Sequence, residues 1–599
     1  MPSYTPPTRD TRFILQDLLR LDEYSNLPVF SAVDNDLIDT IIDEAGKFCA
    51  EVIAPLNPVA DKEGCTWHED GRVTTPTGFR EAYAQYCEAG WGTLALPEEY
   101  GGQGMPHILA TVFEEYLNSA CHGFHMFPGL THGAVSAILE KGTEEQKATY
   151  LPRLVAGEWL GTMALTEPHC GTDLGLIRTR AVPQDDGSYS ITGTKIFISG
   201  GEQDLTENIV HLVLAKTPDA PEGSRGISLF IVPKFLVKED GSLGERNPVT
   251  CGSIEEKMGL HGSATCVMNF DEAKGWIVGE ENKGLAAMFI MMNAARLSCG
   301  NQGLGQASLA YQNAATYALD RRQGRASGER PDPSEAADPI IVHADVRRML
   351  MDARGFIEGF RALTLWCALQ LDLAHGAETE EERNTADALV SFLTPVLKGF
   401  GTDRGFYTAV NMQQVLGGHG YVTEWGLEQC VRDARVAMIY EGANGVQAMD
   451  LAGRKLARDG GQVAETYFTL IERECDAADA SLGFITEPLS EAVQDLRDSA
   501  QWLVKNAGAD PNNLGAGSFA FMQLVGIVSI GLMWLRIASV AQAKLAAGEG
   551  DQAFYEAKLA VAHHYARRGL AEVPMLKRQV QAGAETLMAL PAEAFEITV

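Results

Sequence analysis

With 599 residues the chain is too long for one compact core, so several domains are expected. Apolar residues make up 45% and charged residues 21%, globular proportions that argue against a long disordered tract. A formal net charge of -32 excludes nucleic-acid binding, which needs clustered positive charge. The 11 cysteines are scattered, with no CxxC pair and no metal-like Cys/His spacing. No metal is therefore expected, and reduced thiols in a cytoplasmic protein are the plain reading. Met1 to Pro7 carry no basic segment followed by an apolar run, so no export signal is expected.

Residues 1–160 read as mostly helical. Val33, Leu37, Ile41, Ile42, Ala45 and Phe48 recur at helical spacing and predict a helix over Ser31 to Ile53. A turn-rich link over Ala54 to Gly78 and a helix over Phe79 to Ala89 follow. Across 161–278 the period changes to two, with strands expected at Ser188–Gly193, Lys195–Ser199, Ile209–Ala215 and Gly226–Val232. From Gly284 the helical pattern returns, giving a helical domain over 279–457 interrupted by the Gly/Pro/charge-rich Arg325 to Pro339. Arg458-Asp459-Gly460-Gly461 reads as a linker, and 458–599 as an additional helical domain. Within it, Phe519 to Leu535 is apolar apart from small residues and Gln523. That stretch is barely long enough to cross a bilayer, and without basic flanks or a second span a buried bundle helix is expected.

Three segments carry candidate chemistry. They are Met163 to Asp173 (MALTEPHCGTD), Lys195 to Gly201 (KIFISGG), and Gln414 to Tyr421 (QVLGGHGY) followed by Met438 to Gly442 (MIYEG). Taken singly, each glycine-rich loop reads as a turn. In this order and spacing, together with Arg296 and Asp320-Arg321-Arg322, they resemble the acyl-CoA dehydrogenase family over roughly residues 30–455. The resemblance implies a multidomain, mainly α fold: an α-helical N-terminal domain, a middle β-barrel-like domain and an α-helical bundle, here with an extra C-terminal helical domain. It also implies FAD as cofactor.

Carried over residue by residue, Met163, Leu165 and Thr166 lie at the flavin pyrimidine edge. Ile198 and Ser199 lie near N5, and Phe197 shields the ring where tryptophan is common. Arg321 is expected at the FAD diphosphate, where its fork gives paired, charge-assisted bonds. Gln414, Gly417 and Gly418 are expected to cradle the adenine half, because glycine allows close backbone approach. Gly171 and Thr172 fall at the cofactor and at the CoA arm, and Asn293, Arg296 and Tyr440 at the substrate. The ordinary readings are a strand-core aromatic for Phe197, a solvated charge for Arg321 and a buried ion pair for Arg296. The chain departs from the family after the base, with Gly442-Ala443-Asn444-Gly445 in place of Gly-Thr-Ser-Gln, so Asn444 is the candidate to replace a lost FAD contact. It departs again at Gln323-Gly324-Arg325, where Gln-Phe-Gly is usual.

Glu441 is expected to be catalytic. A proton α to a thioester is weakly acidic, and its removal needs a carboxylate whose pKa desolvation lifts toward neutrality. Relatives that keep the base on the earlier helix hold it where this chain has Ala295, so Glu441 has no visible rival. The implied reaction is α,β-dehydrogenation of an acyl-CoA, with electrons passed to electron-transferring flavoprotein. An oxidase using oxygen, a general fatty acyl-CoA dehydrogenase and a catalytically silent FAD-binding scaffold stand as alternatives. The long form implies a homodimer. The end-to-end likeness to long members serving dimethylsulfoniopropionate breakdown implies 3-(methylthio)propanoyl-CoA as best substrate, with Met291 or Met292 lining the acyl tail or simply packing the core.

Overall fold

The computed structural model describes residues 3–597 except 329, 330 and 332, and it leaves the side chains of 293 and 294 undescribed. The chain divides into two compact units, one built mainly from 43–298 and the other from 7–42 and 299–599.

The first unit starts within helix α1 (Asn35–Phe48). Its start falls later than Ser31 because Asp34 Oδ1 accepts the Leu37 N–H at 2.8 Å and caps the first turn. Helices α2 (Phe79–Glu88), α3 (His107–His125), α4 (Gly129–Lys141) and α5 (Glu144–Val155) follow. Thr143 and Gln146 close a reciprocal capping box at the start of α5. Strands β1 (Trp159–Ala164), β2 (Arg180–Pro183), β3 (Tyr189–Ser199), β4 (Asn208–Lys216), β5 (Ile227–Pro233), β6 (Val249–Ile254) and β7 (Thr265–Val278) then form one sheet. Its order is β6-β7-β3-β2-β4-β1, with β5 pairing both β7 and β4. The expected Ser188–Gly193 and Lys195–Ser199 strands are a single strand. β1 runs parallel to β4, with Trp159 opposite Asn208. Gly161 permits close packing of β1 on α4, since a Cβ there would lie 2.5 Å from the Ala134 methyl.

The second unit takes up the long helix α6 (Gly284–Asp320) from Cys299 onward. It continues through α7 (Ala344–Gly376), α8 (Glu380–Val415), α9 (Leu427–Arg435) and α10 (Asn444–Met449). The extension supplies α11 (Gln462–Ala477), α12 (Gly483–Asn506), α13 (Pro511–Ala547), α14 (Gln552–His564) and α15 (Val573–Gln581). Asp510 caps α13 with Pro511 in its first turn, and Gly548 ends it in the left-handed conformation. By length and composition α13 is the one helix among the described residues that passes a membrane-span test. Met522, Leu524, Val528, Leu532 and Trp534 are nevertheless fully buried, and Trp534 Nε1 donates to Gly355 O at 2.8 Å, so it is a core helix.

Candidate functional site

In the first unit, β1 runs into the Thr166-Glu167-Pro168 segment, which folds back as a tight turn. Glu167 and Cys170 exchange both backbone hydrogen bonds, at 2.9 and 3.0 Å. Thr166 O accepts the Ile196 N–H at 2.9 Å, fixing the segment against β3. Beneath it lies a pair that sequence reasoning missed. Lys195, fully buried, donates from Nζ to Leu165 O at 2.8 Å and to Glu167 Oε1 at 2.9 Å. Glu167 also accepts from Thr179 N and Oγ1 and from Arg178 N. Burial pushes the Lys195 ammonium down to about 8 against the pull of Glu167. For Glu167, burial acts upward, but Lys195, Thr179 and the Arg178 N–H overcome it and hold the carboxyl below its ordinary range. Both residues were visible inside the TEP and KIFIS motifs; what hid them was that the motifs drew attention to the outward-facing neighbours.

Glu167, His169 and Cys170 are the one trio of metal-ligand types brought together among the described residues. The oxygens of Glu167 are already taken up by the four donors just named, so the trio is a turn held by a salt bridge.

Phe197 stands at a β-bulge. Cys266 and Met268 of β7 pair with Ile198 and Lys195 of β3, which gives β3 one extra residue there. Phe197 adopts φ 60° and is 58% exposed, while Ile198 is buried and Ser199, paired with Thr265, is half-buried. A left-handed phenylalanine costs about 1–3 kcal/mol. Here that strain turns an apolar ring outward, which fits a ring shielding a flavin and not a strand-core aromatic. Met163 is buried in β1, Leu165 and Thr166 are half-buried, and Gly171 and Thr172 are exposed on the loop after the turn.

Of the substrate candidates on α6, Arg296 is buried with its guanidinium 5.8 Å from the Phe289 ring centre. The Asn293 side chain lies outside the described residues. Met291 is fully buried against Gly133, where a Cβ would come within 2.6 Å of Met291 Cγ, so it packs the core; Met292 is half-buried beside it. Met291, Ala295, Ser298, Glu114 and His132 line a small cavity of about 40 Å³. Burial there pushes the Glu114 carboxyl up to about 7.

In the second unit, Glu441 sits on the loop between the Val436–Met438 turn and α10. Glu441 (φ 54°) and Gly442 (φ 82°) are both left-handed. Their carbonyls are held from below: Gln447 Nε2 donates to Glu441 O at 2.9 Å, and the fully buried Lys398 Nζ donates to Gly442 O at 2.8 Å. Tyr440 donates to Gln302 Oε1, and burial raises its phenol well above the ordinary value.

Asn444, expected at the cofactor, turns inward instead. Its Oδ1 accepts from Lys398 Nζ at 2.8 Å, and its Nδ2 donates to Gly399 O and to Asp403 Oδ1, at 2.9 and 2.7 Å. The amide is thus spent on the protein itself. A buried asparagine must satisfy both ends, and the cation and carboxylate of α8 do so.

Gln414 ends α8 on the surface, and Gly417 and Gly418 follow it exposed, with open space where either Cβ would stand. Gly417 is left-handed at φ 58°. Arg321, just past α6, is exposed and makes no side-chain hydrogen bond or ion pair among the described residues. In the second unit an unengaged guanidinium and an open glycine shelf have the chemistry to hold a diphosphate and an adenine, and in the first unit an outward aromatic on a strained bulge has the chemistry to cover a flavin ring. Within the second unit Arg321 could hold a diphosphate and Gln414, Gly417 and Gly418 an adenine half; within the first, Thr166, Phe197 and Ser199 could meet a flavin ring.

Four family profiles match the chain in order. They are the acyl-CoA dehydrogenase N-terminal domain over 36–158, the middle domain over 162–273, the C-terminal domain over 282–456, and an acetyl-CoA dehydrogenase C-terminal-like domain over 467–591. A 3-methylmercaptopropionyl-CoA dehydrogenase of Ruegeria pomeroyi is 45% identical, covering 95% of this chain and 96% of its own. A broad-specificity linear acyl-CoA dehydrogenase of Mycobacterium tuberculosis, FadE5, is 35% identical over 99% of this chain and 100% of its own. In fold, the chain resembles the Bacillus anthracis acyl-CoA dehydrogenase complexed with FAD, with a TM-score of 0.73 at 21% identity, covering 94% of this chain and 90% of that one.

The chain belongs to the acyl-CoA dehydrogenase family, in its long form with a C-terminal extension. It is an oxidoreductase that acts on acyl-CoA and uses FAD.

Proposed function

We propose that this enzyme introduces the α,β double bond into a short acyl-CoA, with 3-(methylthio)propanoyl-CoA as best substrate and Glu441 as the base. The strained Glu441–Gly442 turn carries the assignment of the base. Two successive left-handed residues cost about 1–3 kcal/mol where the first is not glycine, a strain that persists where structure over-determines it. Here buried donors on both carbonyls do so. The Glu441 carboxylate takes the α-proton; FAD, when bound, would supply the acceptor for the β-hydride. Arg296 and Thr172 position the thioester and its CoA arm. Asn293 is kept in the same role on the resemblance alone.

The end-to-end 45% identity supports the methylthio substrate. Thioether and methylene differ little in size and polarity, so selectivity between them is worth only about 1–3 kcal/mol. Butanoyl and pentanoyl groups should therefore turn over as well. Electrons pass to electron-transferring flavoprotein, and the enzyme works as a cytoplasmic homodimer.

The test is a panel of 3-(methylthio)propanoyl-, butanoyl-, pentanoyl- and dodecanoyl-CoA assayed with an artificial electron acceptor, on wild type and Glu441→Gln. The methylthio substrate should show the highest kcat/KM. The variant should keep its FAD and lose about 10²-fold or more in turnover. Retention of more than about a tenth of activity would remove Glu441 as base, since general-base loss costs more than that. A preference for dodecanoyl-CoA would defeat the substrate reading.

A further inference from the structure

The buried stretch of α13 contains one amide, Gln523. It is not solvated: Nε2 donates to Asp403 Oδ2 at 2.9 Å. The other oxygen of Asp403 accepts from Asn444 Nδ2 at 2.7 Å. Asn444 Oδ1 in turn accepts from Lys398 Nζ at 2.8 Å, and the same ammonium donates to Gly442 O at 2.8 Å. All four side chains are at least nine-tenths buried. One polar path therefore runs from the extension, through α8 and the first residue of α10, to the carbonyl of Gly442, the residue after Glu441.

Such a path is costly to build. Apolar residues of similar volume in place of a buried cation and carboxylate are often neutral or stabilising, and a partly satisfied network is worse than none. Its position gives it a use. It ends on one of two consecutive left-handed residues, a conformation that relaxes unless its surroundings enforce it. Gln447 holds the carbonyl of Glu441 from the side of α10, and Lys398 holds that of Gly442 from α8.

We propose that Gln523, Asp403, Asn444 and Lys398 form a positioning relay through which the C-terminal extension holds the Glu441 loop in its base-presenting conformation. The inference rests on the reading of Glu441 as base. The four are positioning residues; their hydrogen bonds are all to the protein. The extension thus shapes the reaction as well as covering the bundle.

The test uses the FAD-loaded enzyme and two variants, Gln523→Leu and Lys398→Met. Gln523→Leu keeps the helix and nearly the volume, so it carries the test if Lys398→Met does not fold. Amide hydrogen exchange over 440–446, kcat, KM and FAD content are measured together. Gln523→Leu should speed exchange in that loop by about threefold or more, as local opening becomes easier. Its kcat should fall by about three- to tenfold with KM within about twofold, and Lys398→Met should lose more, since a small misplacement of a reacting group can cost about 10²-fold. Unchanged exchange in Gln523→Leu overturns the relay, and so does faster exchange with kcat held within about twofold of wild type. Failure of the base reading is separately visible: Glu441→Gln would stay active whatever the exchange data show.

Discussion

At the scale of single residues, this chain buries titratable groups in opposite protonation states, and the balance sets its acid stability. Burial depresses His125 and His211 from 6.5 to about 3, so both stay neutral in the fold. Burial raises Glu114 from 4.5 to about 7, so it takes up a proton early. The signs follow from which state binds more protons. Between pH 6.5 and 4.5 the unfolded chain gains two protons at the histidines that the fold refuses, while the fold gains one at Glu114. Unfolding is favoured by a net of about one proton, or about 1.4 kcal/mol per pH unit. Below 4.5 the Glu114 term ends and the slope steepens, because carboxyls the fold holds below their ordinary range, Glu167 among them, then also take up protons first in the unfolded chain. His132, depressed in the same direction, steepens the loss. Urea midpoints taken at pH 7, 6 and 5 should therefore fall progressively, and His211→Asn should flatten the curve; constant midpoints across that range would contradict the account. None of this was legible in the sequence, where a histidine gives no sign of its burial. The motif residues were legible because their order is specific, yet their geometry was not. Nothing in the KIFIS letters marks a bulge that turns Phe197 left-handed, and nothing near Glu441 marks Lys398, 43 positions earlier, as the donor to its loop. Asn444 was misjudged for the same reason, since its partners lie on a distant helix.

At the scale of elements, α13 was the ambiguous one. Its composition suits a bilayer or a core equally well, and only its neighbours decide. Those neighbours approach closely because glycines stand at the crossings. A Cβ on Gly526 would lie 2.3 Å from Phe400 Cγ, and one on Gly359 would lie 2.7 Å from Trp534 Nε1. The Phe400 ring is fully buried, so neither it nor the helix has room to yield. Gly526→Ala should therefore destabilise the protein despite the better helix propensity of alanine. Overpacking typically costs about 1–3 kcal/mol, against about 1 kcal/mol gained from propensity. A urea midpoint at or above that of wild type would show that the two helices can part without loss. The helix-to-strand change near residue 160 and the return at Gly284 were readable because a period of two differs from 3.6 over any window of this length. The merging of two expected strands into β3 was not, because Gly193 and Thr194 look like a turn until β7 pairs with them.

At the scale of the whole chain, the second unit is closed by its own two ends. Asp10 accepts from Arg361 and Lys558, and Lys558 also donates to Glu358 Oε2 at 2.8 Å, a buried cluster joining the N-terminal segment, α7 and α14. Arg9 pairs with Asp551 at 2.7 Å and Lys544 with Asp17 at 3.1 Å, while the Phe13 ring meets Phe554 edge-on at 5.5 Å. With α13 seated on α7 and α8, that apolar side of the bundle is covered from within and is not open to another copy. Among the large apolar side chains the unit exposes are Tyr421, at 86%, and Val422, nearly half exposed, on the glycine-rich loop after α8, and Ile439 on the segment before Glu441. Exposed apolar residues of this kind are what the proposed homodimer would use to meet a second chain. A single two-fold face would close the proposed pair without further growth. Light scattering on the FAD-loaded protein should therefore give about 130 kDa, twice the 64.8 kDa chain, at every concentration from low to high micromolar. A mass of about 260 kDa would mean that a pair of dimers still finds a face to dock on, and that covering the bundle with the extension does not limit assembly.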